Sequence, residues 1–217
     1  MNTISAADLI RLFDAWRSLF AQQREFLIAL DGKVGDSDLG ITMSKSFAAA
    51  YDAVSVEGEG ASISKLLRTA GVIMAKTAPS TMGTLTATGF IRASKALEAA
   101  EAVGTPEIAL FWQSFRDGVA ERGKAKVGDK TLLDVLDPIA TTLQDAAASG
   151  TSLTDALAVA TEAAEQALEH TKSMTAQHGK AAAFQAKTIG LQDAGATVGV
   201  FIVTAMRDFV TKQKSTA

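Results

Sequence analysis

Two hundred and seventeen residues, 47% hydrophobic and 21% charged with three prolines, give a chain long enough to bury a core of its own. No cysteine is present, which excludes disulfides, thiolate zinc, iron–sulfur centres and thiol catalysis, and two histidines offer little to an imidazole-rich metal site. A formal net charge of -3 from 24 acids and 21 bases carries no footprint for nucleic acid, and any bound cation must be held by oxygen, as Mg²⁺ or Ca²⁺ are.

The first residues show no basic stretch, apolar core or small-residue cleavage site, so no signal peptide is expected. No apolar run reaches about 18 residues, so no membrane span is expected either, and a cytoplasmic location is the default. Alanine, the strongest helix former, makes up roughly a fifth of the chain. The first predicted helix covers 5–30, where Leu9, Leu12, Phe13, Trp16, Leu19 and Phe20 repeat at helical spacing. Further helices are predicted at 41–55, 62–77, 84–102, 106–122, 131–148, 153–172 and 193–212. Ser5–Asp8, Thr131–Asp134 and Ser152–Asp155 have the spacing of capping boxes, with Asp in place of the usual Glu or Gln. Thr105-Pro106-Glu107 reads as a cap, a proline at the first helical position and an acid in the first turn. Short connections favour antiparallel neighbours, so the expectation is one all-α domain over 1–217, a bundle or barrel of about eight helices.

The break between the first two predicted helices is the most informative stretch. Asp31, Asp36 and Asp38 lie within eight residues, interleaved with Gly32, Gly35 and Gly40. Two like charges about 6 Å apart repel by roughly 3 kcal/mol at an effective dielectric near 20, and a cation relieves that. Carboxylates suit Mg²⁺, which keeps waters and shares its shell with phosphates, and the glycines let backbone come close to a ligand. A solvated turn in which an Asp caps the next helix is the plain alternative. A calcium EF-hand does not fit: counting from Asp36, Gly40 falls one place early and Phe47 stands where the bidentate Glu belongs.

Other loops offer weaker signals. Gly118 to Ala125 nearly spells a P-loop but lacks the final hydroxyl and follows a helix, so Gly123 reads as a helix stop. Gly123 to Thr131 is short, basic and rich in glycine. Pro79 to Thr84 places hydroxyls and amides at a helix start, and Gly190 to Ala196 could cap the last helix or close over a ligand. His170 and His178 read as surface or capping residues, and no Ser/His/Asp arrangement or nucleophile elbow is present.

Taken together, these loops resemble the nucleotide-binding L subunit or domain of dihydroxyacetone kinases, over almost the whole chain. The residues that carry the resemblance are Leu30-Asp31 with Gly35-Asp36, Asp38 and Gly40; Arg122 to Ala125 with Gly128 to Thr131 and Asp134; and Ile189-Gly190 with Asp193, Gly195 and Ala196. The resemblance implies an eight-helix antiparallel barrel with ADP or ATP and two Mg²⁺ ions in the loops at one end. By motif, Asp31, Asp36 and Asp38 match the Mg²⁺ ligands. Leu39, Gly40, Ile41 and Thr42 match a phosphate-contacting turn, and Thr81 and Met82 a second phosphate loop. Gly123 and Leu132, with Lys180, Asp193, Ala194 and Gly195, match positions around the nucleotide.

The chain departs from that pattern at Leu39, where His or Thr is common. It departs again at Ser80 to Gly83, at Leu191 and Ala194, and at Lys180, which replaces an Arg and loses its bidentate fork. These changes mark a divergent branch. The resemblance further implies that the ketose is held covalently on a separate K subunit, with ATP or a phosphocarrier M subunit as the phosphoryl source. It gives this chain no general base and no catalytic side chain, and neither nucleic acid nor membrane as a partner. A related ketose such as erythrulose, a nucleotide-loaded regulatory protein without turnover, and a purely structural bundle are the other readings.

Overall fold

A computed structural model describes residues 3–215, with side chains described as far as Lys212. The fold is all-α. Helices α1 (Ala6–Gln22), α2 (Arg24–Asp31), α3 (Leu39–Glu57), α4 (Ile63–Thr77), α5 (Thr81–Ala96), α6 (Thr105–Gly123), α7 (Leu133–Ala148), α8 (Leu153–His170) and α9 (Ala194–Ser215) follow one another along the chain. Two 3₁₀ segments, Thr171–Ser173 and Lys180–Thr188, fill the long connection between α8 and α9. The only extended pairing among the described residues is an isolated antiparallel bridge between Ile4 and Val103.

The helices close into a ring. Each of α3 to α8 packs beside the next, α9 returns against α1, and α1 packs on α3. The short α2 lies outside this sequence, against α3. The interior is aromatic: Phe13, Trp16, Phe20, Phe47, Phe90, Trp112 and Phe115 are fully buried. Phe20 and Phe47 stack at 4.4 Å, and Phe90 meets the rings of Phe13, Trp16, Phe47, Phe111 and Phe115. Such rings each remove 150–250 Å² or so from water, and their edge-to-face pairs add specificity. The one polar group carried in by Trp16 is matched, its Nε1 donating to the Ile202 carbonyl at 3.0 Å.

Several starts and stops follow the expected chemistry. Ser5 and Asp8 form the reciprocal capping box of α1, and Ser152 caps α8 through the Asp155 amide. Other expectations need correction. The helix predicted over 5–30 turns at Gln23, whose backbone (φ -88°, ψ 4°) redirects the axis. Its hydrogen bonds to Leu19 and from Leu27 survive, and Leu27 and Leu30 stay buried, so neither a breaker nor a lost apolar period marks the site. The cap of α6 is Gly104, whose amide donates to Glu107 at 2.9 Å, while the Thr105 hydroxyl donates instead to the Thr151 carbonyl. The helix stop expected at Gly123 falls one residue later, with Lys124 in the left-handed conformation at φ 57°. Helix α5 begins at Thr81 and ends at Ala96, several residues earlier at each end than its predicted span.

By length and composition Ala194–Lys212 in α9 is apolar enough to cross a membrane, although no such span was expected; half of it is buried within the fold. It packs on α1, α7 and α8 as a core helix does.

Candidate functional site

Alternate connections of the ring converge. The loops α2–α3, α4–α5, α6–α7 and α8–α9 all line one cleft of about 860 Å³. Up-and-down neighbours require this, because every second loop falls at the same end.

The acidic end of the cleft is built by the α2–α3 loop. Asp31 is the last residue of α2, and its carboxylate accepts the amides of Asp38 (3.1 Å) and Leu39 (3.5 Å), so it caps α3 across the loop. Asp38 occupies the N-cap position of α3 yet makes no side-chain capping bond. The cap that the plain-turn reading assigns to an Asp is thus supplied by Asp31, which leaves the Asp38 carboxylate without a capping role. Gly35 is required by close approach: a Cβ there would lie 2.2 Å from Asp31 Oδ1. One carboxylate oxygen from each of Asp31, Asp36 and Asp38 falls within 4.8 Å of the others.

The charges respond to this crowding. Burial, followed by repulsion from Asp36 and Asp31, pushes the Asp38 carboxyl above its ordinary pKa. Asp36 is held below it by an ion pair with the Lys180 ammonium, and the same pair raises Lys180. A cation thus already sits against the cluster. Three hard carboxylate donors with no softer ligand fit Mg²⁺ or Ca²⁺.

Leu39 lines the cleft, but Gly40, Ile41 and Thr42 do not. Gly40 faces α2 instead, where a Cβ would meet the Arg24 carbonyl at 2.1 Å. Thr81 and Met82 line the opposite wall at the start of α5, where the Ser80 hydroxyl takes the Gly83 amide at 3.0 Å. The less polar end is made by Leu85, Val119, Gly123, Leu132 and Leu133. Lys180 and Asp193 come from the α8–α9 connection, and Ala194 and Gly195 from the first turn of α9. Asp193 caps α9 by accepting the Ala196 amide at 2.7 Å. Its carboxyl is raised to about 6, first by burial, with Asp134 repelling it.

Three cleft residues take settings that the sequence reading did not give them. Arg122 lines the cleft. His178 also lines it and pairs with Asp129 at 3.0 Å, and Asp129 takes the Lys126 amide at 2.9 Å. The amide bond holds the Asp129 carboxyl below its usual range, with His178 assisting against the cost of burial. Lys130 is buried, and all of its described bonds go to backbone carbonyls. The basic, glycine-bearing loop was visible in sequence; the burial of its lysine was not.

A family model described as the DAK2 domain matches residues 33–208 of this chain. The chain belongs to the DAK2 domain family. It is 30% identical over 201 residues to the PEP-dependent dihydroxyacetone kinase, ADP-binding subunit DhaL, of Escherichia coli K12, covering 93% of this chain and 95% of that one. It is also 30% identical to the D-erythrulose kinase of Mycolicibacterium smegmatis, covering 93% of this DAK2 domain but 35% of that protein. Among solved structures, the dihydroxyacetone kinase of C. freundii in complex with AMP-PNP and Mg²⁺ superposes with a TM-score of 0.72 at 21% identity, over 93% of this chain and 34% of that chain. That likeness establishes the shared fold.

Proposed function

We propose that this DAK2 domain is the nucleotide-binding subunit of a kinase for dihydroxyacetone or a closely related short ketose. The observation that carries the reading is the carboxylate triad Asp31, Asp36 and Asp38 lining a cleft of about 860 Å³ that four connections share. The near full-length similarity to an ADP-binding subunit supports it, and the similarity to an erythrulose kinase supports a small range of ketoses.

Asp31, Asp36 and Asp38 would hold two Mg²⁺ ions, which when bound neutralise the phosphates and polarise the transferring group. Lys180 would leave Asp36 for phosphate oxygens as Mg²⁺ takes the carboxylate. The hydroxyl and amides at Thr81 and Met82 lie at the start of α5, where the helix dipole favours anions. Gly123 and Leu132, with Asp193, Ala194 and Gly195 at the start of α9, would enclose ribose and base. Phosphoryl transfer needs mainly positioning and charge neutralisation, so no general base is required on this side. The ketose would be carried by a partner K subunit, with ATP or a phosphocarrier M subunit restoring the phosphoryl group, in the cytoplasm.

Calorimetry with MgADP and MgATP tests the reading. Binding is expected, abolished by Asp36→Ala, and mixing with a K subunit is expected to phosphorylate dihydroxyacetone or erythrulose. No nucleotide binding in the parent chain sinks it. A second reading, a nucleotide-loaded regulatory protein, is favoured by Leu39, a buried apolar side chain at a cleft position where the resemblance implies His or Thr. Retained MgADP without turnover beside any K subunit would select it.

A further inference from the structure

The connection between α8 and α9 brings Lys180 and Asp193 to the cleft, but little apolar burial holds it there. Between residues 171 and 190 only Thr171, Ala176 and Thr188 are buried, and most of 177–187 is exposed. Its ion pair between Lys180 and Asp36 is also exposed, at 65% and 39% of the two side chains, and such pairs contribute little. Internal bonds, Gly190 N–H to the Lys172 carbonyl and Ala176 N–H to the Thr188 hydroxyl, shape the segment without fastening it to the ring.

The fastening comes from the α6–α7 loop. Lys130 is 3% exposed, and its backbone takes the left-handed conformation at φ 59°. Its ammonium donates to the carbonyls of Met174 (3.2 Å), Thr188 (2.5 Å) and Leu191 (2.7 Å), which uses all three of its protons. These carbonyls lie on both sides of Lys180 in sequence, and the last is two residues before Asp193. The neighbouring Asp129 adds two further links, its carbonyl accepting the Gln177 amide at 3.0 Å and its carboxylate pairing with His178. A buried ammonium is costly unless its donors are matched, and here each is matched to the same poorly buried segment.

We propose that Lys130 is a positioning residue of the nucleotide site, an ammonium clasp that holds residues 174–191 closed over the cleft so that Lys180 and Asp193 at the start of α9 face bound nucleotide. The proposal rests on the nucleotide-binding reading above for its functional consequence. Removing the ammonium leaves three carbonyls without their donor, and the segment opens while the helical ring, which it does not help to pack, stays closed.

The test uses the full chain, amide hydrogen exchange, and calorimetry with MgADP. In Lys130→Met, exchange is expected to rise about tenfold or more in 174–191 and not in α3 to α7, and the Kd for MgADP to rise by a similar factor, the scale of losing hydrogen bonds to a charged group. Lys130→Arg is expected to recover part of both. Exchange and Kd within about twofold of the parent chain overturn the proposal, as does faster exchange spread evenly over all helices, which marks a merely structural lysine. Should Lys130→Met lose its cooperative melt, Lys130→Gln, which keeps two donors without the charge, is read by the same criteria. A parent chain that binds no MgADP defeats the nucleotide reading instead, and the exchange pattern then decides the clasp by itself.

Discussion

Asp193 is a carboxylate doing two opposed things. It caps α9 through the Ala196 amide, which favours its charge, yet burial and Asp134 lift its pKa to about 6. A folded-state pKa above the ordinary value of 3.8 means that the folded chain binds this proton more tightly than the unfolded chain. Its contribution to stability is therefore largest below pH 3.8 and is lost as pH rises through about 6, the reverse of a salt-bridged carboxylate. Asp193→Asn keeps an acceptor for the cap and removes the desolvated charge. Thermal melts are expected to place the variant about 2–4 °C above the parent at pH 7.5, with the gain shrinking as pH falls below about 6. A constant difference across that range would show that the charge is not the cause. At this scale the sequence exposed identities but not environments. Asp31, Asp36 and Asp38 could be named from spacing, and Asp193 from a motif. Nothing in the string marks Lys130 as buried or pairs His178 with Asp129, because both depend on contacts between residues about 50 apart.

At the scale of elements, the α2–α3 loop shows how local geometry serves the site. Gly35 is needed by contact and not by torsion, since the Asp31 carboxylate and carbonyl occupy the space of a Cβ at 2.2 and 2.8 Å. Gly35→Ala is expected to displace Asp31 and weaken MgADP binding by about tenfold or more, with the melting temperature nearly unchanged because the loop is exposed. Calorimetry beside a thermal melt separates the two effects; unchanged binding would remove Asp31 from the metal set. Helix interiors were legible from apolar period and caps, as at Ser5–Asp8 and Ser152–Asp155. The turn at Gln23 was not, because hydrogen bonding and apolar spacing both run through it. It is imposed by docking of α2 on α3, where Gly40 admits the Arg24 carbonyl. Gly40 thus belongs to packing, whereas its motif suggested a phosphate.

At the scale of the whole molecule, the closed ring and the cleft are one fact. Eight helices running up and down bring every second connection to one end, and four such connections line the cleft together with the helix ends beside them. A ligand that ties these loops together stabilises the folded state by mass action. Excess MgADP at about one hundred times its Kd is expected to add about 2.7 kcal/mol, or roughly 5–10 °C in melting temperature for a chain of this size. Asp36→Ala should show no shift, measured by the same melts; an equal shift in the variant would place the nucleotide elsewhere.

The sequence by itself determined the all-α class, the oxygen-only character of any metal site and the dense grouping of Asp31, Asp36 and Asp38, because composition, helical period and an acidic loop are local properties. The tertiary structure alone decided which loops share a cleft, that Lys180 neutralises Asp36, and that Lys130 spends its charge on carbonyls of a distant segment. Those outcomes depend on ring closure, which brings together residues whose separation along the chain carries no local signal.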